Sequence, residues 1–322
     1  MRHSTTFLMS LIVASILVLM FLNLVLGSVS IPLKSVWNII CGLGDEPVTW
    51  QNIVWKSRLP QALTALVAGA GLAISGLQMQ TVFRNPLAGP SVLGISSGAS
   101  MGVAFVVLLS GSLGGVALSK LGVMGEIALS IAAVIGSLSV MALIVYVSQK
   151  VKGNVTLLII GVMIGYVANA VIGVLKFFSV EEDIRAYVIW GLGSFSRVSG
   201  NQMMLFVAIM AILIPLSFLL IKTLNLMLLG DGYARNLGLN IKRARLLVIT
   251  SAGVLTAIVT AYCGPVIFLG LAVPHLCRAI FQTSDHRVLM PAVLFAGAAL
   301  ALVCNLIARM PGFEGALPVN SV

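Results

Sequence analysis

Charge is what this sequence has least of. Only 9% of its 322 residues are Asp, Glu, Lys or Arg, and just nine of these are acids, against roughly 25% charge in an ordinary soluble domain. A globule needs charge over its surface to stay in water, so this scarcity argues against a water-soluble fold. The apolar runs also lack polar–apolar alternation, which excludes the strands of a membrane barrel. Cys41, Cys263, Cys277 and Cys304 stand apart, without the spacing of a disulfide framework or a zinc site. His3, His275 and His286 are too scattered for a metal-binding helix motif, and the dipeptide Gly-Lys never occurs, so the loop that cradles nucleotide phosphates is absent. No catalytic residue, no metal and no cofactor are expected in this chain. Any work done by ATP must be done by another one.

Apolar residues, by contrast, make up 59% of the chain. The expected fold is all-α: a polytopic membrane helical bundle forming one domain over residues 1–322. Hydropathy and helix breakers place spans near 7–26, 60–81, 91–110, 127–147, 155–175, 203–221, 246–261, 265–281 and 289–308. Arg2 and His3 precede an apolar run that exceeds the ~7–15 residues of a secretory h-region, so it reads as a first span rather than a signal peptide. The short segment Ala261 to Pro265 reads as a tight turn between the seventh and eighth spans.

The net charge of +10 is dispersed between apolar runs, which is not the footprint of nucleic-acid binding. Its distribution carries orientation instead. The N-terminal side holds Arg2, Arg84, Lys150, Lys152, Lys222, Arg235, Lys242, Arg243, Arg245, Arg278 and Arg287 against two acids, Asp231 and Asp285. Basic loops stay inside, so the N-terminus is expected in the cytoplasm. The longest segments on the other side are 27–59 and 176–202. The first carries Trp37, Trp50 and Trp55 as interfacial anchors, and the second is expected to hold a short helix at the outer surface.

Glycines four apart, Gly94, Gly98 and Gly102 on the third span and Gly161 and Gly165 on the fifth, let helix backbones approach closely. On the fifth span the same spacing continues through Asn169 to Gly173. A mid-span carboxamide must point at protein or a water-filled cavity, so Gly161, Gly165 and Asn169, with Thr156 nearer the inner end, suit either packing or a path wall. Ionisable side chains are nearly missing from span centres, whereas proton-coupled carriers display them as relays. Gln78, Gln80 and Asn305 are the other polar residues there. Sodium sites built from carbonyls would escape this test, so an ion-coupled secondary transporter is the alternative reading.

One basic segment stands out, Lys222 to Arg245. Asp231 can cap a short helix from Gly232 to about Leu237, Gly238 suits a left-handed stop, and Asn240 can start the next span. Two turns of helix are marginal in water, so a neighbouring surface is expected to hold them. An ordinary basic loop remains the plainer reading.

Several stretches together resemble one family: Arg58-Leu59-Pro60; the run from Gly69 to Ser100 containing RNPLA and LGISSGA; LGDGYARNLGLN from Leu229; GPVIFLGLAVPHLCR from Gly264; and DHRVLMP from Asp285. They are similar to the permease subunits of ATP-binding-cassette importers for iron siderophores, haem and cobalamin, the FecCD or type II permeases. That resemblance implies a homodimer of ten-span subunits around a central path for a metal-chelate in the bacterial inner membrane. Two ATPase subunits would lie below and a substrate-binding protein would dock above. It makes the turn near 230–240 a coupling helix, with Asp231, Tyr233, Ala234, Arg235, Leu237 and Gly238 seated in the ATPase. It assigns Arg58 and Arg309 to binding-protein docking, with Gln61 where the family pattern has a further arginine, and it places the fifth span on the path. A tenth span would follow a segment like Leu317-Pro318-Val319-Asn320, whereas this sequence stops at Val322.

Overall fold

The computed structural model describes residues 2–112, 123–151, 153–198, 200–310 and 317–322. Among them there is no strand. The helices are α1 (Arg2–Val25), α2 (Leu33–Cys41), α3 (Val48–Ile53), α4 (Leu59–Phe83), α5 (Ile95–Ser112), α6 (Val123–Lys150), α7 (Asn154–Phe177), α8 (Glu181–Gly191), α9 (Gly200–Phe218), α10 (Ile221–Leu228), α11 (Asp231–Asn236), α12 (Ile241–Cys263), α13 (Leu269–Phe281) and α14 (His286–Ala308). A π-helical turn, Val54–Arg58, joins α3 to α4, and a 3-10 turn, Pro90–Leu93, precedes α5. Seven of the described helical segments are long and apolar enough to cross a membrane, and the shorter apolar helices of α5 and α13 bring the apolar set into line with the expected spans. The protein is a multi-pass membrane bundle.

At the centre stands α4, buried along nearly its whole length and packed by α14, α12, α13 and α9. Its sequence explains this position. Apolar residues cover every side of it and small ones dominate, so neighbouring backbones can come close on several faces. A Cβ at Gly69 would fall against the Gly297 carbonyl of α14, and one at Gly76 would overlap the Gly270 carbonyl of α13. The glycines expected to pack the third span do so. A Cβ on Gly98 would lie 2.6 Å from the Gly136 carbonyl of α6, and Gly102 meets Ala132. The polar Asn305 is also answered within the protein: its Nδ2 donates to Asn23 Oδ1 at 2.8 Å and pins α14 to α1.

Two expected spans differ in form. The third does not run helically from residue 91; a 3-10 turn and Gly94 at φ 74° come first. The eighth is helical only over 13 residues, about 20 Å at 1.5 Å per residue, and thus short of a ~30 Å hydrocarbon core. No tight turn precedes it. Instead α12 continues to Cys263, and an irregular stretch follows whose polar groups are met by protein. Cys263 O accepts from Ser194 N at 2.8 Å, Pro265 O from Asn320 Nδ2 at 2.6 Å, and Ile267 N donates to Asn320 Oδ1 at 3.2 Å. Non-helical backbone is tolerated at membrane depth only under such cover. The helix expected within 176–202 is α8.

Candidate functional site: a coupling turn, a helix hub and a wall

Residues 229–240 form a compact turn. Gly230 at φ 99° swings the chain into α11, and Gly238 at φ 86° ends it, a backbone geometry that a Cβ would strain. Asn240 caps α12, its Oδ1 accepting from Arg243 N at 3.1 Å. Asp231 does not cap the short helix as expected. It is the first helical residue, Gly230 is the cap, and the carboxylate reaches outward to Arg84 Nη2 at 2.5 Å and Arg245 Nη2 at 3.8 Å. Two arginines from α12 and the end of α4 outcompete the local N–H groups, since charge-assisted pairs are the stronger partners. Ala234 is buried and seats α11 on the bundle, while Arg235 and Gly238 are exposed. Tyr233 and Leu237 are four apart, lie on one side, and are 74% and 61% exposed. This is a small apolar knob presented outward from a helix too short to stand alone.

The hub that carries the knob was not legible beforehand. In the last turn of α4, successive polar side chains reach different helices. Gln80 Nε2 donates to Leu271 O of α13 at 3.1 Å, and Arg278 donates to Gln80 Oε1. Thr81 Oγ1 lies 2.8 Å from His286 Nε2 at the start of α14. Arg84, left-handed at φ 49°, adds Met227 O of α10 at 3.3 Å to its contact with Asp231. His286 Nδ1 lies 2.8 Å from Asn225 Oδ1, whose Nδ2 donates to Asp285 Oδ1 at 2.6 Å. Asn225 Oδ1 can only accept, so a neutral His286 carries its proton on Nδ1, and its Nε2 shares the one Thr81 hydroxyl hydrogen with Leu77 O, 2.8 Å from Thr81 Oγ1. Gln80 was the one visible signal, as a polar residue inside a span.

On α7 the expected stripe divides. Gly161 is buried against the turn before α5, where an added Cβ would lie 2.8 Å from Leu93 Cα, and Gly165 against the first turn of α5, where one would lie 3.4 Å from Ser97 Oγ. Asn169, Gly173 and Thr156 are exposed. Four residues turn a helix by 400°, so each step rotates 40° and the stripe winds off the packed face before Asn169. The glycines pack, and the carboxamide faces out of the single chain beside Tyr166 and Val162.

At the opposite end of α4, Arg58 is 1% exposed. Its Nη1 donates to Leu24 O and Val25 O at 2.7 Å each, and Nη2 donates to Val29 O. It thus caps the C-terminus of α1 from another helix, where a cation is favoured by the free carbonyls. Arg309, just beyond α14, is half-buried, and burial followed by the charge of Arg58 lowers its pKa to about 10.

Among the described residues no nucleophile elbow is formed. The spacing Gly-x-Ser-x-Gly occurs at Gly94–Gly98 and again at Gly98–Gly102. Both lie within or at the start of α5, not on a strand-to-helix elbow.

The family model described as the FecCD transport family matches residues 15–322. The chain belongs to that family. Among FecCD relatives, the vitamin B12 import system permease protein BtuC of Klebsiella pneumoniae is 35% identical over 84% of this chain and 78% of its own length. The hemin transport system permease protein HmuU of Yersinia pestis is 33% identical over 92% of this chain and 85% of its own. A solved structure described as an inward-facing conformation of a putative metal-chelate type ABC transporter superposes with a TM-score of 0.82 at 26% identity, covering 98% of this chain and 94% of that one. This FecCD protein is therefore the permease subunit of an ABC importer, the membrane-crossing part and not itself the ATPase.

Proposed function

We propose that this permease moves a metal-chelate of the iron-siderophore, haem or cobalamin class across a bacterial inner membrane, with its N-terminus and the α10–α12 turn in the cytoplasm. The likeness to a vitamin B12 permease and a hemin permease supports the cargo class, and the basic loops support the orientation. Two copies would enclose the path and two ATPase subunits would hydrolyse ATP beneath it. The exposed Tyr233–Leu237 pair is the observation that carries this reading, because an apolar knob braced by Asp231 on two other helices can seat in an ATPase cleft and pass its motion to α4 and α12. Asp231 and Arg235 flank the knob with charge, and Ala234 and Gly238 set its seat and its end.

The outward faces of Thr156 and Asn169 line the path in this reading, while Gly161 and Gly165 shape the wall behind them. A substrate-binding protein would place acidic side chains on the opposite rim, with Arg309 as the contact and Arg58 supplying charge from beneath. Co-purification with the products of neighbouring reading frames, followed by ATP turnover in vesicles, tests the proposal. One chelate should stimulate turnover and enter the vesicle. Uptake that ignores ATP but collapses with an ion gradient would overturn it.

A further inference from the structure

A cavity of about 320 Å³ opens at the end of the bundle opposite the coupling turn, lined by Ser28, Ser57, Arg58, Gln61, Ser196 and Arg309 with two apolar neighbours. Donors dominate its wall, with Gln61 Oε1 as a buried, unpaired acceptor among them. The two guanidinium groups converge over Gly27, where an added Cβ would lie 3.1 Å from Arg309 Nη2 and 3.2 Å from Arg58 Nε. Among the described residues neither has a carboxylate partner, since the ion pairs there are those of Asp231 with Arg84 and Arg245. The Arg309 guanidinium makes no hydrogen bond among them either, and its Nη1 is buried without a partner. Ser57 Oγ accepts from Gln61 Nε2 at 3.1 Å, which leaves its own hydrogen free to donate.

Two like charges held together away from bulk water destabilise each other unless a counter-charge joins them. We propose that this cavity binds a small tetrahedral oxyanion of the phosphate or sulfate class, held by Arg309 against the charge of Arg58, with the Ser28, Ser57 and Ser196 hydroxyls as further donors. Planar guanidinium forks match such oxygens. The anion neutralises the pair in the permease alone and does not depend on binding-protein docking. If acids do dock here, they must displace it.

Equilibrium dialysis of radiolabelled inorganic phosphate and sulfate against the purified permease, without binding protein and at fixed ionic strength in chloride, tests the site. Saturable binding approaching one ion per chain is expected for at least one of the two. Arg309→Gln should weaken it about tenfold or more, the scale of a lost charge-assisted hydrogen bond, while Arg185→Gln on the exposed side of α8 should leave it unchanged. Both variants are checked by their unfolding midpoints in chloride. Absence of saturable binding, or equal binding by Arg309→Gln, would overturn the site and leave the transport reading untouched.

Discussion

Arg84 and Asp231 are 147 positions apart in sequence and 2.5 Å apart in space. The first ends the most buried helix of the bundle, and the second begins the short helix that displays Tyr233 and Leu237. A push on α11 therefore has a direct polar route into α4, and through Arg245 into α12.

Breaking that route should change coupling more than stability. The Arg84–Asp231 pair is nearly half exposed, and exposed pairs contribute about 0–1 kcal/mol. Asp231→Ala is expected to lower the unfolding midpoint little while reducing chelate moved per ATP hydrolysed severalfold. A variant with normal stoichiometry in vesicles would show that the contact is incidental.

Close approach at Gly76 sets a second expectation. Its missing Cβ would overlap the Gly270 carbonyl, a backbone atom that cannot rotate away. Gly76→Ala should force α13 off α4 and destabilise by about 1–3 kcal/mol, the usual range for overpacking. Gly232→Ala, with nothing near an added Cβ, is the control and should unfold with the parent in the same detergent.

A pH effect follows from Asp285. The Arg287 N–H, then the Asn225 side chain, hold its carboxyl below the usual carboxylate range. A depressed folded value stabilises the fold above the ordinary carboxylate pKa, and that contribution is lost as pH falls through the lower folded value. Asp285→Asn should therefore flatten the acid limb of the unfolding-midpoint curve. If the acid limbs of parent and variant coincide, Asp285 contributes nothing there.

Asn320 offers a fourth test. It bonds Leu192 O, Pro265 O and Ile267 N, fastening the irregular stretch before α13 to the end of α8. Asn320→Ala should uncover these groups at about 1 kcal/mol per bond and speed amide exchange at Ile267. Unchanged exchange would mean the stretch is held by other contacts.

Much of the bundle was legible because its signals are local. Hydropathy marked the spans, Gly238 marked the stop of α11, and Asn240 marked the start of α12. Partners distant in sequence were not. Nothing near Asp231 says that Arg84 lies beside it, so a helix cap was the natural local reading. Four-residue spacing placed Gly161 and Asn169 on one face because the 40° drift per step is easy to ignore over two glycines and decisive by the third position. Arg58 was read by its charge, whereas its geometry is that of a cap on α1. The eighth span looked complete because hydropathy does not report whether an apolar stretch such as Val266 to Phe268 is helical.

The knob itself gives the most direct test. In vesicles containing the assembled importer, Leu237→Asp places a charge on the apolar pair while leaving Asp231, Arg84 and the spans intact. The account predicts normal membrane insertion, with chelate uptake reduced at least tenfold relative to ATP hydrolysed, about 1.4 kcal/mol or more. Uptake and hydrolysis both at parent levels would contradict it.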